Sequence, residues 1–257
     1  MKKSISIPVL LFCCLAFAFP AFAHFGMVIP SDSVIMQGDS RTVTLKLSFS
    51  HPFEGIGMDL KRPHRFSVLA GGRRADLKDR LKAIKLMDHS AWEAKFDIKR
   101  PGVYQFYMEP QPYFESAEDR FIIHYTKTVV AAFGDDDRWD AAAGLKTEIV
   151  PLSRPFALYA GNVFQGMVQL DGKPVPHARV EVEFYNRTGN AKAPNDLMIA
   201  QTVKADARGV FTYAPPRAGW WGFAALSRAD FTLDREGIPK EVELGAVLWV
   251  EFHDWIE

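Results

Sequence analysis

From Arg41 the chain reads Arg-Thr-Val-Thr-Leu-Lys-Leu-Ser-Phe-Ser, and Val43, Leu45, Leu47 and Phe49 alternate strictly with Thr42, Thr44, Lys46 and Ser48. A period of two puts one row of side chains on each face of an extended strand, so this segment is a strand buried on one side. Similar alternating or short apolar runs occupy 66–69, 92–98, 103–108 and 121–125, with Gly71-Gly72 and Arg100-Pro101-Gly102 as turn signals between them. The first half therefore reads as all-β. Leu77, Leu81 and Ile84 stand at helical spacing and predict one short helix between residues 75 and 85.

The second half repeats the theme. An apolar run at 163–170 precedes the turn Asp171-Gly172-Lys173-Pro174-Val175-Pro176, after which Ala178, Val180, Val182 and Phe184 alternate with Arg179, Glu181 and Glu183. Two further turn-and-strand units follow at 205–211 and 218–223, and Val242, Leu244, Ala246, Leu248 and Val250 mark a closing strand. Between the halves, 131–145 carries Asp135, Asp136, Asp137 and Asp140 among alanines and glycines. It lacks the ligand spacing of an EF-hand loop and reads as a solvated linker. The expected architecture is all-β, with two tandem β-sandwiches of immunoglobulin-like or transthyretin-like type at 24–130 and 146–257. The order Gly-Lys-Pro-Val-Pro-x-Ala-x-Val, Asp-x-x-Gly-Val-Phe and Gly-Trp-Trp in the second half resembles transthyretin-like and carboxypeptidase-regulatory-like sandwiches. That likeness speaks to fold rather than function.

Residues 1–23 have the order of a secretory signal peptide: Lys2 and Lys3, an apolar run at 7–19, then Ala21-Phe22-Ala23. The run is shorter than the about 20 apolar residues that span a bilayer. Cleavage after Ala23 removes Cys13 and Cys14, two of the 31 basic groups and none of the 31 acidic ones, leaving a formal charge of −2. Such a chain is expected in the periplasm without a disulfide, and any metal it binds must accept nitrogen and oxygen donors. With no basic excess, nucleic acid, DNA included, is not an expected partner.

Cleavage there would make His24 the first residue. An N-terminal histidine offers its α-amine and its ring Nδ1 to one ion as a chelate. Reference pKa values of about 7.7–8.0 and 6.5 let both shed a proton for a divalent cation near neutrality. A third nitrogen completes a histidine brace. His51 is the leading donor, because it continues the inward row of Val43, Leu45, Leu47 and Phe49 to the rim of the sandwich, where Pro52 ends regular pairing. The alternative is that His51 only finishes the strand. The apolar Met27-Val28-Ile29 that follows His24 reads as an edge strand lying along that rim. His89, ahead of a strand, and His124, opposite in parity to Phe121 and Ile123, form a second tier of candidate ligands or structural histidines. His64, His177 and His253 read as surface residues, and Glu54, Glu109, Glu115, Glu118 and Asp119 supply carboxylates among which the sequence does not choose. The amino-terminal copper and nickel motif that needs a histidine in third place is excluded by Gly26.

The start His24-Phe25, the stretch Phe49-Ser50-His51-Pro52-Phe53-Glu54, the run Arg100-Pro101-Gly102-Val103-Tyr104-Gln105-Phe106 and the pair Pro112-Tyr113-Phe114-Glu115 with Phe121-Ile122-Ile123-His124-Tyr125 carry a second resemblance. They resemble the periplasmic component associated with bacterial cobalt and nickel transporters of the energy-coupling-factor type, a family long known mainly as an uncharacterised domain. The resemblance implies a carrier that takes Ni²⁺ or Co²⁺ as cargo and passes it to an integral membrane component of the transporter, with His24 and His51 as ligands. The chain has no Gly-x-x-x-x-Gly-Lys-Ser/Thr loop, so other subunits would supply the energy.

Three other functions use the same residues. A periplasmic copper chaperone would hold Cu²⁺ on the same nitrogens, since Cu²⁺ outbinds Ni²⁺ at most such sites. A copper-brace polysaccharide oxidase would need an exposed aromatic face, for which Trp92, Tyr104, Tyr107, Tyr113 and Phe114 are the candidates. A structural sandwich protein would bind no metal. No Ser/His/Asp, Cys/His or paired-carboxylate motif stands out, and no enzymatic activity is expected.

Overall fold

The computed structural model describes residues 24–256, and the signal peptide expected at 1–23 lies outside the described residues. The protein is an all-β sandwich, as the alternation predicts. The short helix expected between residues 75 and 85 is not an α-helix. The strand Arg73–Asp76 leads into a single 3₁₀ turn, Lys78–Arg80, and the chain is extended again from Lys82 to Leu86. Asp76 accepts the Lys78 N–H at 2.8 Å, and this one turn suffices to bury Leu77 and Leu81. Their four-residue spacing reflects a tight turn joining strands of two different sheets rather than a helical face.

Among the described residues the strands form four sheets, of which the smallest is a two-stranded hairpin, Leu233–Arg235 with Ile238–Lys240. The first runs Phe25–Pro30, Thr42–His51, His89–Asp97, Lys82–Leu86, with Ile56–Met58 also paired to the second of these. The second, of eleven strands, crosses the whole molecule: Arg120–Ala132 of the first half pairs in parallel with Val242–His253 of the second, from Phe121 opposite Val242 to Thr128 opposite Trp249. The third contains Thr147–Pro151, Phe164–Leu170, Lys173–Pro174 and Val210–Tyr213.

The central strand Arg120–Ala132 explains how the halves join. Ile122, Val130 and Ala132 pack with Val43, Leu45, Leu47 and Phe49 in the first core, while Val129 and Ala131 pack with Phe164, Val168, Phe223 and Leu248 in the second. One strand with apolar residues on both faces serves both cores, and the covering sheets lie on its opposite sides. The 131–145 segment is held to this strand and its neighbours. Gln105 Nε2 donates to Ala141 O at 2.9 Å, and Glu148 accepts from Ala143 N at 2.9 Å, Gly144 N at 2.8 Å and the buried Lys127 Nζ at 2.9 Å.

The expected edge strand is Phe25–Pro30, paired only with Thr42–His51 in its sheet, Phe25 opposite Ser50 and Val28 opposite Leu47. All six of its residues are buried. Val28 enters the first core, while Phe25, Met27 and Ile29 pack against Trp220, Ala224, Val247 and Trp249 of the second half. Trp249 Nε1 donates to Gly26 O at 2.8 Å. A Cβ at Gly26 would overlap the Thr126 hydroxyl and touch His124, so only glycine lets the strand lie this close to Arg120–Ala132. The second half thus fixes where the chain begins to descend from His24.

Candidate metal centre

The pairing of Phe25–Pro30 with Thr42–His51 brings His24 beside His51. Their ring centroids are 4.6 Å apart and inclined at 49°. An ion about 2.0–2.1 Å from one nitrogen of each of two imidazoles sits about 3 Å from each ring centre, so this separation is one that a single bridging ion can span. Phe49 forms the floor. Its ring stacks on His24 at 5.7 Å and 18°, meets Tyr113 at 5.0 Å and presents its edge geometry to His124 at 5.6 Å.

Across the mouth of the first sandwich stands the short strand Tyr113–Glu115, which pairs with Arg120–Ala132 through Glu115 opposite Arg120. His24 Nε2 lies 3.0 Å from Glu115 Oε2, while Glu115 Oε1 accepts the Ala117 N–H at 2.9 Å. A carboxylate can only accept, so Nε2 carries the hydrogen and Nδ1 keeps its lone pair. Nδ1 is also the ring atom that can close a six-membered chelate with the α-amine of the same residue. Burial lowers the pKa of His24 below its ordinary value, with the neighbouring His124 acting in the same direction and Glu115 opposing both. That shift favours the neutral imidazole, the form a metal donor needs.

The other two expected ligands make contacts of their own. His124 is buried, and its Nδ1 accepts the Gly26 N–H at 3.2 Å. That hydrogen bond occupies Nδ1 and leaves Nε2 facing Glu243 Oε1 at 3.9 Å. Gly245 has no side chain where the His124 ring lies, which is why the ring fits there. His124 thus anchors the N-terminal strand. His89 opens the strand His89–Asp97, has a side chain that is 44% exposed, and pairs with Asp59 at 3.6 Å. His64 and His177 are exposed, and His253 is partly so, near Glu251.

Among the described residues, no three His, Cys, Asp or Glu side chains stand together so as to hold a metal ion. Two imidazole side chains are what the His24 and His51 arrangement offers. Phe49 and Glu115 were not singled out by sequence. Glu115 was one of five available carboxylates, and only its pairing opposite Arg120 aims it at His24.

The chain belongs to the family of a domain of unknown function, DUF4198, whose model matches residues 21–229. No curated protein matches the sequence. Among solved structures, the chain is similar to the D0-D1 domain of intimin, at 13% identity over 90% of this chain and 99% of that one, with a TM-score of 0.27. It is also similar to the Yersinia pseudotuberculosis adhesin InvE, at 9% identity, 86% and 58% coverage and a TM-score of 0.24. Trypsin-activated alpha-2-macroglobulin from Escherichia coli matches at 9% identity, 90% and 16% coverage and a TM-score of 0.27.

Proposed function

We propose that the mature protein is a periplasmic carrier that binds Ni²⁺ or Co²⁺ through the α-amine and Nδ1 of His24 and one nitrogen of His51, and delivers the ion to an integral membrane component of a nickel and cobalt transporter. The observation that carries this reading is the 4.6 Å approach of the His24 and His51 rings, with His24 Nε2 held by Glu115 at 3.0 Å. A carboxylate on the outer nitrogen of a ligating histidine orients the ring and makes the inner nitrogen a better donor. Three nitrogen donors leave further positions on a six-coordinate ion open, through which a receiving protein can take it. The resemblance in sequence to transporter-associated periplasmic components supplies the identity of the cargo and of the receiver.

The same donor set favours copper in a test tube, because affinity for nitrogen sites rises from Co²⁺ through Ni²⁺ to Cu²⁺. A copper chaperone is therefore the second reading, and affinity alone does not separate the two. The oxidase reading asks for exposed aromatics around the ion. Tyr104 and Tyr107 are buried, and Trp92 is partly buried with its Nε1 bonded to Leu60 O at 2.9 Å, so these three do not provide that face.

The deciding experiment isolates the protein from periplasm of cells grown with balanced metals, then measures its metal content and its N-terminal residue in one sample. A carrier of this kind starts at His24 and holds nickel or cobalt. Copper in their place selects the chaperone, and processing at another bond removes the brace.

A further inference from the structure

We propose that Glu183 and Asn186, in the second half of the chain, are positioning residues for His51, so that the second sandwich is part of the metal site rather than an appended module. This inference rests on the carrier reading and adds residues that the site as drawn above does not include. His51 ends its strand, and the chain then turns tightly: His51 O accepts the Gly55 N–H at 3.0 Å, and Gly55 adopts a φ of +69°. The tip of that turn, Pro52-Phe53, is held from the far half. Phe53 N–H donates to Glu183 Oε1 at 2.9 Å, Asn186 Nδ2 donates to Phe53 O at 3.1 Å, and Asn186 N–H donates to Pro52 O at 3.2 Å.

Both grips are rigid. Glu183 lies in Arg179–Phe184, paired between Ala200 and Gly222 on neighbouring strands, and is 1% exposed. Asn186 is buried and closed against its own loop by two bonds to Ala191, each of 3.0 Å. Burial, with Glu54 and Glu181 nearby, lifts the Glu183 carboxyl to about 8 despite the Phe53 N–H, so near neutrality it serves as an uncharged acceptor. A glutamine keeps that acceptor and an alanine does not. Losing a partner that orients a metal-ligating histidine costs about 10–100-fold in affinity.

The test uses the full mature protein and two probes, Ni²⁺ affinity by chelator competition and the nitrogen hyperfine pattern of the Cu²⁺-loaded form. Glu183→Ala and Asn186→Ala are each expected to lose at least about tenfold in Ni²⁺ affinity and to show one fewer equatorial nitrogen. Glu183→Gln is expected to recover most of the affinity lost in Glu183→Ala. Circular dichroism and thermal melting identify a variant that fails to fold, in which case the other alanine variant decides. If folded alanine variants keep wild-type affinity and spectrum, Glu183 and Asn186 do not position His51, and the carrier reading stands without them. If the wild-type protein itself binds neither ion, the carrier reading fails and this inference fails with it.

Discussion

His24 Nε2 and Glu115 Oε2 meet at 3.0 Å although 91 positions separate them in the chain. The contact joins the two sheets of the first sandwich at its mouth and leaves Nδ1 as the ring nitrogen of His24 that does not meet Glu115. Removing the carboxylate frees the ring to turn and to exchange tautomers. Glu115→Ala is expected to weaken Ni²⁺ binding by about 10–100-fold while leaving the far-ultraviolet spectrum unchanged, as measured by competition with a chromogenic chelator. Wild-type affinity in this variant means that Glu115 does not tune the ligand.

The proposed chelate depends on a primary amine at His24, which separates it from a site made of two imidazoles alone. A variant with one alanine inserted between the cleavage site and His24 keeps both rings but places an amide where the amine was. Its Ni²⁺ affinity is expected to fall at least tenfold, with His24→Ala falling at least as far, each after the N-terminus has been verified by mass spectrometry. An inserted variant that binds as tightly as wild type rules out the amine as a donor.

How far the site was legible in the sequence depends on the range of the interaction. The alternation Val43, Leu45, Leu47, Phe49 is a local property, and it correctly extends to His51, which is buried with them. The edge strand after His24 follows from the same kind of local pattern. Its cover does not. The parallel pairing of Phe121 through Thr128 with Val242 through Trp249 joins segments more than a hundred residues apart, and no local period encodes such a register. That pairing places Trp249 under Gly26 and, with the second half, places Glu183 beside Phe53. Leu77 and Leu81 misled for the converse reason, since residues four apart share a side of a helix and also flank a single tight turn. His124 was ambiguous by parity alone, and its role appears only when Gly26 and Gly245 are seen to make room for it.

Glu183 gives the fold a defined pH dependence. Its carboxyl has an ordinary value of 4.5 and is raised to about 8 in the fold, chiefly by burial. Between those values the folded chain keeps a proton that the unfolded chain releases, so this group's contribution is fully present below 4.5 and is lost as pH rises through about 8. Glu183→Gln carries no such proton. Urea unfolding of the metal-free protein from pH 5 to 9 is expected to show stability declining less with rising pH in Glu183→Gln than in wild type. Parallel curves contradict a raised Glu183.

Lys127 and Glu148 form an ion pair in which the side chains are 1% and 3% exposed. Burial pulls the Lys127 pKa down, and Glu148 pulls it back up. Glu148 also receives two N–H groups from the segment joining the halves, so the pair ties that segment to the shared sheet. Truncating one member of a buried pair leaves the other charge uncompensated, at a typical cost of about 3–5 kcal/mol. Lys127→Ala is expected to lose stability in that range by urea denaturation, and a loss of under about 1 kcal/mol shows that Glu148 is satisfied by its backbone donors.

Gly26 links folding of the N-terminal strand to the placement of His24. A methyl group there meets the Thr126 hydroxyl first, then His124 Cβ at 3.0 Å and His124 O at 3.2 Å. The strand cannot move away on its other side, because Phe25 packs on Trp249 and Gly222, and Trp249 Nε1 holds Gly26 O. Overpacking of this kind costs about 1–3 kcal/mol. Gly26→Ala is expected to lower the melting temperature and, by displacing the residue two positions before it, to weaken Ni²⁺ binding as well. Thr126→Ala in the same chain removes the nearest obstruction but not the His124 atoms, so it should restore part of both losses and not all. Recovery of stability without recovery of affinity separates strand packing from ligand placement, and no loss of either in Gly26→Ala contradicts the close approach of the two strands.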